Sequence, residues 1–287
     1  MSITSRTPST VVAKKFIKEL YAQRIIDTVH NSLVAWDATT SEWRTDLVLG
    51  NILYITKSNT VTATEVVVGT KASPLNPLNT TAVTLTIDQW FEAPVDFDDM
   101  TLRQTHVDIE AVAVKEGAYA IDKKMDTSIC NLFSSLGGYS TAALGSDGQQ
   151  LSDDLLIEMQ QTLNEADVPM DRADRSLIVD PSGLADMLKI DKLVAADYVN
   201  RGNIENGIIG NSVYGCVVRV TNNLSPATTG AYGVMIHRRA IASAAQIDKA
   251  WTWHYLDLHQ TRYQAEALWG VIEVQDAFGV PFYTRKS

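Results

Sequence analysis

The sequence predicts an α+β fold, and three features of its pattern lead to that class. A stretch rich in β-branched residues is followed by a second stretch of alternating residues, and together they indicate a β-hairpin. A long segment then carries apolar residues every three or four positions, which is typical of an amphipathic helix. Beyond it, helix and strand patterns alternate towards the C terminus, as they do in a compact mixed module.

Composition limits the classes of function. The chain has 287 residues, and 24 Lys and Arg residues against 34 Asp and Glu residues give a net charge of −10, which excludes a wholly basic nucleic-acid binder. Hydrophobic residues make up 45%, enough for a sizeable core. The two cysteines are far apart in sequence, which argues against a disulfide framework or a zinc site and for a reducing compartment. No apolar run is long enough to span a bilayer, so no membrane partner is expected.

The N-terminal region combines a basic arm with a helical pattern. The first 24 residues hold five basic side chains and one acidic side chain, so a basic arm precedes an acidic body. From Val12 to about Val34 the apolar residues recur at helical intervals, which predicts an amphipathic helix after a short polar leader. The basic side chains form either a solvated helix face or a surface that meets a polyanion or an acidic neighbour. The residues predicted to form such an arm are Arg6, Lys14, Lys15 and Lys18.

The predicted hairpin has a composition that leaves it without a core of its own. Its first strand is expected over 58–70 and its second around 83–87, with a Pro- and Asn-rich turn between them. Two strands alone are marginally stable in water, and this ribbon has only two charges and no large aromatic residue. We therefore expect it to pack on a neighbouring surface, which another subunit can supply. The predicted inter-subunit contacts are Thr60, Val66, Val68, Val83, Leu85 and Ile87.

The strongest periodic signal runs from Leu102 to Leu136 and predicts one helix about 50 Å long that ends at Gly137-Gly138. The predicted apolar stripe is Val107, Ala111, Val114, Ala118, Ile121, Met125, Ile129, Leu132 and Leu136, and polar residues such as Asp126 fall off it. Three acids come just before this helix. They fit a position at its start, where the helix dipole favours acids, better than a cation site, and they are Asp96, Asp98 and Asp99.

The second half of the chain predicts a mixed module. Ser152 with two following acids indicates a helix N-terminus, 176–179 a short buried strand, and Pro181 the start of another helix. The region 198–211 is expected to be a loop. Strands are expected from Val213 onward to the C terminus.

No motif predicts catalysis. A nucleophile elbow, a phosphate-binding loop and a zinc-binding histidine pair are all missing from the sequence, so no catalytic, cofactor-binding or metal-ligating residue is predicted. Two alternatives stay open on the residues alone. One is an α+β enzyme with an unfamiliar site around 96–106 or 254–259, and the other is a DNA-binding module that uses the basic arm.

The order of these features resembles the tailed-phage major capsid proteins of the HK97-like fold. The similarity rests on the N-terminal helix, the low-charge hairpin, the run Leu85-Thr-Ile-Asp-Gln-Trp90 and the long helix. Further motifs look like the axial domain of that family. They are Asp167-Val-Pro169 with Arg175, Leu177-Ile-Val-Asp-Pro181, Asn206-Gly-Ile-Ile-Gly210 and Thr221-Asn-Asn-Leu224.

The resemblance implies a division of the chain and a function. It implies an N-terminal arm and first helix over 1–43, an extended loop over 44–92, a peripheral domain over 93–150 and 240–287, and an axial domain over 151–239. It also implies self-assembly into pentamers and hexamers of an icosahedral shell, made in the host cytoplasm, with no cofactor and no enzymatic activity. The expected partners are other copies of the chain, a separate scaffolding protein, a portal, a possible cement protein and non-specifically contacted double-stranded DNA. An encapsulin-type compartment shell is the alternative of the same fold.

Overall fold

The computed structural model shows a mixed arrangement of helices and strands, which confirms the α+β class. It describes residues 33–40, 42–43, 50–58, 61, 63, 65, 68, 79–100, 109–137, 143–171, 174–194, 204–205, 208–209 and 212–285. The helices are α1 (Ala35–Ala38), α2 (Ile109–Cys130), α3 (Asp153–Glu165), α4 (Pro181–Met187) and α5 (Asp191–Val194). Short 3-10 helices span Phe133–Ser135 and Asp276–Phe278.

The strands form four sheets among the described residues. They are β1 (Ile52–Ser58), β2 (Thr80–Thr86), β3 (Gln89–Asp98), β4 (Arg175–Val179), β5 (Ile204–Glu205), β6 (Ile208–Ile209), β7 (Ser212–Val213), β8 (Cys216–Val220), β9 (Gly230–His237), β10 (Ile241–Tyr255), β11 (Gln260–Glu273) and β12 (Gly279–Arg285). The sheet orders are β1-β2, β10-β11-β3, β12-β9-β4-β8-β7 and β5-β6. The expected loop over 198–211 thus contains two short strands where it is described.

The five-stranded sheet is built as the sequence predicts. The strand β4 is buried along its whole length, and it pairs in parallel with β8 and antiparallel with β9. Ser152 caps α3 by accepting a hydrogen bond from the Leu155 amide, and Asp180 caps α4, whose first residue is Pro181. The predicted apolar face of α3 is buried, and it comprises Leu155, Leu156, Met159 and Leu163. Side-chain caps and an apolar face therefore fix these helices on the sheet.

A buried arginine explains the spacing of one motif in this module. Arg175 is 1% exposed at the start of β4, and its guanidinium donates hydrogen bonds to the carbonyls of Val168 and Pro169 and to Asn164 Oδ1. These acceptors lie at and just after the end of α3. Burying a charged group costs free energy unless its hydrogen-bond donors find acceptors. Val168 and Pro169 of the motif supply two carbonyl oxygens at the positions that the planar guanidinium group of Arg175 reaches. The result is a fixed connection between α3 and β4.

The long helix ends earlier than predicted. The described helix α2 has 22 residues, about 33 Å at 1.5 Å per residue, and residues 101–108 lie outside the described part. It ends at Cys130 and not at Gly137, because a turn and a 3-10 helix follow. This tighter path directs Phe133 and Leu136 into the core, where both are at most 2% exposed. The prediction of one helix to Leu136 was therefore wrong at its C-terminal end.

The buried face of α2 also differs from the predicted stripe. Ala113, Gly117 and Ile121 face the core, whereas Ala111, Val114 and Ala118 are exposed. Gly117 lies next to two further small residues, since a Cβ at its position would be in ordinary contact with Ala265 at 3.6 Å and with the Ala93 carbonyl oxygen at 3.7 Å. Small side chains let the helix lie close to the three-stranded sheet, and a pattern based on large apolar residues does not detect them.

The hairpin is present, but its first strand lies earlier than predicted. The strand β1 spans Ile52–Ser58, and within 58–70 the described residues after Ser58 belong to no strand. Its partner β2 agrees with the predicted second strand and pairs antiparallel, from Ile52 with Thr86 to Ser58 with Thr80. The position of β1 follows from its inward residues Leu53 and Ile55, which pack with β2 on the body of the chain.

The three acids before α2 belong mainly to a strand. Asp96 and Asp98 lie on β3, and the helical residues Asp99 and Met100 follow directly, so the acids come before and at the start of a helical segment, although two of them belong to a strand. Cross-strand pairing with β11 is the reason, since Asp96 binds Arg262 at 2.6 Å and Asp98 accepts a hydrogen bond from Gln260 at 2.8 Å. The Arg262 guanidinium also holds the pKa of the Asp96 carboxyl below its usual range.

Candidate assembly surfaces

The hairpin has two faces with different roles. Leu53, Ile55, Leu85 and Ile87 point inward and pack in one cluster with Ala242, Ala244 and Val274 of the same chain. The outward face alternates with them and contains no charged residue in either strand. On it, Ile52 is 45% exposed and Tyr54 is 66% exposed. The inward face therefore fixes the hairpin to its own chain, and the outward face is open.

The predicted contact residues are distributed over these faces. Leu85 is fully buried and Ile87 is 5% exposed within their own chain, and Val83 is half-buried on the same inward face. Val68 lies in a turn and is 99% exposed. Thr60 and Val66 lie outside the described residues, and so do Arg6, Lys14, Lys15 and Lys18. Sequence reasoning missed Ile52 and Tyr54, although the run Ile52-Leu-Tyr-Ile-Thr56 is rich in β-branched and aromatic residues, which is a signal for a strand.

The root of the hairpin rests on a glycine of β11. A Cβ on Gly270 would lie 2.2 Å from the Thr86 carbonyl oxygen, so the backbone at the end of β2 lies directly on this position. No other residue type fits there without displacement of the strand. The hairpin is thus positioned by a close approach of backbone to backbone as well as by its apolar cluster.

Two carboxyl groups meet near this root. Glu273 follows the end of the apolar part of β11, and its Oε2 accepts a hydrogen bond from Ser135 at 3.2 Å. Asp276 accepts a hydrogen bond from the Gly137 amide at 2.7 Å. Desolvation, together with the neighbouring Asp276, raises the pKa of Glu273 to about 7, and Lys57 of β1 opposes the shift. The protonation of Glu273 therefore changes near neutral pH.

This pKa predicts a pH-dependent stability. Because the folded chain binds the Glu273 proton more tightly than the unfolded chain, its contribution to stability is lost as pH rises from about 4.5 to about 7. Glu273→Gln keeps the neutral form at every pH. We expect its thermal midpoint to match the parent at pH 4.5 and to exceed it by a few degrees at pH 8.

Thermal unfolding across pH 4.5–8 measures this difference, with Glu158→Gln on the exposed side of α3 as the control for loss of one negative charge. The control should show no such growth of the difference with pH. A constant offset of Glu273→Gln at all pH values would contradict the assignment.

A buried carboxylate joins three parts of the chain. Asp126 on α2 is fully buried, although the sequence placed it off the apolar stripe. Its Oδ1 accepts hydrogen bonds from the amides of Ala35 at 2.7 Å and Trp36 at 3.4 Å, and its Oδ2 accepts one from Asn223 Nδ2 at 3.0 Å. Val34 offers no side-chain cap to α1, so Asp126 caps that helix from another element.

This clamp explains a second motif of the sequence. Asn223 belongs to the run Thr221-Asn-Asn-Leu224, and it is 9% exposed. Its own backbone amide donates to Thr221 Oγ1 at 3.2 Å, which fixes the turn that presents the side chain to Asp126. The motif therefore connects the loop before β9 to α2 and to the start of α1.

The outer face of the three-stranded sheet is lined by paired polar residues and by an aromatic row. Arg262 donates two hydrogen bonds to Asp96, and Gln264 donates one to Glu92 at 2.6 Å. On β10, Trp251 and Trp253 stack with ring centroids 6.0 Å apart, as expected for residues that share one face of a strand. Both rings are more than 40% exposed. This face is preorganised and exposed in a single subunit.

The two regions considered for an enzyme site, 96–106 and 254–259, show no catalytic arrangement among the residues that the structure describes. His254 lies 3.6 Å from Asp99 and 3.2 Å from Thr261, all near the end of the three-stranded sheet, while His106 lies outside the described residues. No group of three or more metal-ligating side chains occurs among the described residues. Burial raises the pKa of the Cys130 thiol and raises that of Cys216 to about 11, so neither thiol is a ready nucleophile.

No described helix combines the length and apolar character needed to cross a membrane.

Three-dimensional comparison finds a similar arrangement of helices and strands in solved structures. A chain of Mycobacterium phage Che8 is similar with a TM-score of 0.80 and 23% identity, over 93% of this chain and 97% of that one. A chain from the capsid structure of cyanophage P-SCSP1u has a TM-score of 0.77 and 15% identity, over 99% and 100%.

The mature capsid of bacteriophage PhiM1 is similar as well, with a TM-score of 0.70 and 14% identity over 94% of this chain and 92% of that one. No curated protein sequence matches the chain. The family model described as phage capsid protein matches residues 39–264, which is most of the sequence and includes the hairpin, α2 and four strands of the five-stranded sheet, all but β12. The encapsulin and enzyme alternatives are not favoured. The chain belongs to the phage capsid protein family, has the HK97-like fold and is a major capsid protein, a structural and non-enzymatic subunit of the virion shell.

Proposed function

We propose that the chain assembles into pentamers and hexamers of an icosahedral shell around double-stranded DNA, with each β1–β2 hairpin lying across an adjacent copy. The uncharged outward face of this hairpin carries the proposal. Its residues are Ile52, Tyr54, Thr56 and Ser58 of β1 and Thr80, Ala82, Thr84 and Thr86 of β2. Ile52 and Tyr54 are large apolar side chains exposed to water on this face, and neighbouring exposed apolar side chains are typical of a protein interface.

The edges of the hairpin support the same proposal. Among the described residues, β1 and β2 pair only with each other, so each strand keeps one free edge of backbone donors and acceptors. Such edges bind other chains readily unless charges block them. Lys57 is the one charged residue in the two strands, and it lies on the inward side. Neither edge is therefore protected against pairing with another copy.

The charge of the chain supports a limited contact with DNA. The first 24 residues carry a net charge of +4, whereas the rest of the chain carries −14, so an acidic body packs DNA without binding it tightly. In this proposal Arg6, Lys14, Lys15 and Lys18 face the interior of the shell. Assembly in the host cytoplasm uses a separate scaffolding protein and a portal, and a cement protein is a possible further partner. The division into arm, loop, peripheral and axial parts at 43, 92, 150 and 239 belongs to the same proposal.

A substitution on the outward face tests the hairpin contact. Tyr54→Lys places a charge on a side chain that is 66% exposed and opposite the apolar cluster. We expect the thermal midpoint of the subunit to stay within a few degrees of the parent, while the yield of closed particles falls at least about tenfold, since an unpaired charge is costly in an interface.

Particle yield is measured by sedimentation and negative-stain microscopy of the chain expressed with its genomic neighbours. Tyr54→Phe is the matched control, because it keeps the ring and should assemble as the parent does. Normal particle yield from Tyr54→Lys would overturn the proposed position of the hairpin.

A further inference from the structure

A buried histidine lies where the chain passes from one sheet to another. His237 is the last residue of β9 in the five-stranded sheet, and β10 of the three-stranded sheet begins at Ile241. The residue is 3% exposed. The chain turns tightly between the two strands, because the Ala240 amide donates a hydrogen bond to the His237 carbonyl oxygen at 2.9 Å. His237 therefore belongs to a joint between the two sheets.

A second crossing between the same sheets lies against the first. The chain leaves β11 of the three-stranded sheet and passes through 274–278 into β12 of the five-stranded sheet. The Ala240 carbonyl oxygen accepts hydrogen bonds from the amides of Val274 at 2.7 Å and Gln275 at 3.1 Å. The His237 ring meets Phe278 edge to face, with the ring centroids 5.5 Å apart. One side chain thus contacts both of these crossings.

The neutral form of the His237 ring holds the turn. Its Nδ1 accepts a hydrogen bond from the Arg239 backbone amide at 3.3 Å. A ring nitrogen that accepts carries no proton, so the neutral ring has its proton on Nε2. Protonation adds a hydrogen to Nδ1, which then faces the hydrogen of the Arg239 amide. The hydrogen bond is lost, so this turn is compatible only with the neutral ring.

The surroundings of His237 also disfavour a charged ring. Arg175 is 1% exposed and is paired with His237 across β4 and β9, so a buried cation lies on the neighbouring strand. Arg239 adds a second cation, whereas Asp174 and Asp171 favour protonation. Desolvation by burial is the largest effect, and the pKa of His237 is lowered from its usual range. A protonated ring is therefore costly in the closed joint.

We propose that His237 is a pH-sensitive latch on the joint between the two sheets. With a neutral ring, the turn at 237–240 and the crossing at 274–278 stay closed on each other. Protonation of the ring breaks the hydrogen bond from Arg239, opens the turn and releases the amides of Val274 and Gln275 from Ala240. Mild acid thus lets the two sheets change their relative orientation. This device acts within one subunit and is independent of how the hairpin contacts other copies.

The effect has a defined sign and pH range. The pKa of His237 has its usual value of about 6.5 in the open joint and a lower value in the closed joint, so closure is favoured most above pH 6.5 and weakens as pH falls. If the closed joint keeps the ring neutral, the opening equilibrium grows about tenfold between pH 7.5 and pH 5.5.

Two other titratable groups lie at the second crossing and must be separated from the latch. They are Glu273 and Asp276, and protonation of Glu273 stabilises the folded chain as pH falls, which is the opposite sign. A variant that changes only His237 keeps both carboxyl groups. The difference between this variant and the parent at each pH therefore reports the latch.

Hydrogen exchange of the full-length chain, measured by mass spectrometry, tests the latch. Protection of the segments 238–241 and 274–276 is compared at pH 7.5 and pH 5.5, after correction for the chemical exchange rate at each pH. We expect the parent to lose about three- to tenfold in protection on acidification. The variant His237→Asn keeps an acceptor oxygen near the position of Nδ1 and has no imidazole, so its protection should change by less than about twofold. An equal loss in both proteins, or no loss in the parent, would overturn the proposal.

His259→Asn is the matched control. His259 is exposed, and its φ of 50° is one that asparagine tolerates. This variant also removes one imidazole, and it should lose protection on acidification as the parent does. Absence of that loss in the control would contradict the assignment to His237.

A second measurement covers the case in which His237→Asn folds poorly. The other four histidines are replaced by asparagine, and the remaining imidazole is followed by NMR of the chain labelled with 13C-histidine. We expect this ring to stay neutral at pH 6 with its proton on Nε2. Half-protonation near pH 6.5 would overturn the latch.

Discussion

Replacement of residues 59–79 by Asn-Gly is expected to abolish shells and to leave a folded subunit. Ser58 and Thr80 are directly paired at the end of the hairpin, so a two-residue turn closes β1 onto β2 without strain. The inward residues that fix the hairpin to its own chain, Leu53, Ile55 and Leu85 among them, all remain. The variant keeps the outward faces of β1 and β2 and loses the segment between them, to which we assign a further part of the proposed contact with an adjacent copy. We therefore expect its thermal midpoint to change little while particle yield falls to background.

Leu85→Ala is the contrasting variant, because it is expected to lower the stability of the subunit itself. Leu85 is fully buried in the cluster beneath the hairpin, and a truncation of this kind costs about 2–5 kcal/mol of unfolding free energy. Thermal or urea unfolding of both variants, with particle counts from the same preparations, separates the two roles. Normal shells from the Asn-Gly variant would show that the extended loop is not needed for assembly.

Loss of the Asp126 carboxylate is expected to destabilise the subunit itself strongly. Asp126→Ala leaves the Ala35 amide and the Asn223 side-chain amide buried without their acceptor, and each such group costs about 1–3 kcal/mol. We expect a loss of about 2–5 kcal/mol in urea unfolding. Limited proteolysis should also cut more readily before residue 35, since the clamp on α1 is gone.

A reciprocal exchange distinguishes this clamp from general core damage. Asn223→Asp places a second carboxylate beside Asp126, where the side chains are 3.0 Å apart, and should be strongly destabilising. Adding Asp126→Asn restores one carboxylate and one amide at the same contact. The double variant should therefore be more stable than Asn223→Asp alone. Additive losses from the two substitutions would contradict the clamp.

Local rules were sufficient where the sequence carries its own signals. The cap at Ser152, the start of α4 at Pro181, the buried strand β4 and the second strand of the hairpin all follow from short patterns with a physical cause. The motifs that resemble the capsid family gain a physical reason in the structure. Arg175 binds the end of α3, and Asn223 binds Asp126.

Other features depend on contacts that are distant in sequence. The buried face of α2 is set by packing against the three-stranded sheet, where the small residue Gly117 lies next to Ala93 and Ala265. The helical pattern predicts that Asp126 is an exposed acid, because its partners Ala35 and Asn223 are 91 and 97 positions away in sequence. The outward face of the hairpin was missed for a related reason, since the position of β1 depends on packing against β10 and β11.

Electron microscopy of the assembled protein tests the central claim most directly. The full chain is expressed alone and together with its genomic neighbours, and the products are imaged in negative stain and sized by light scattering. We expect closed particles of uniform size, formed efficiently only when the scaffolding protein is present, with the hairpin of each copy lying across the next. A persistent monomer or small oligomer under both conditions would contradict the assembly proposed here.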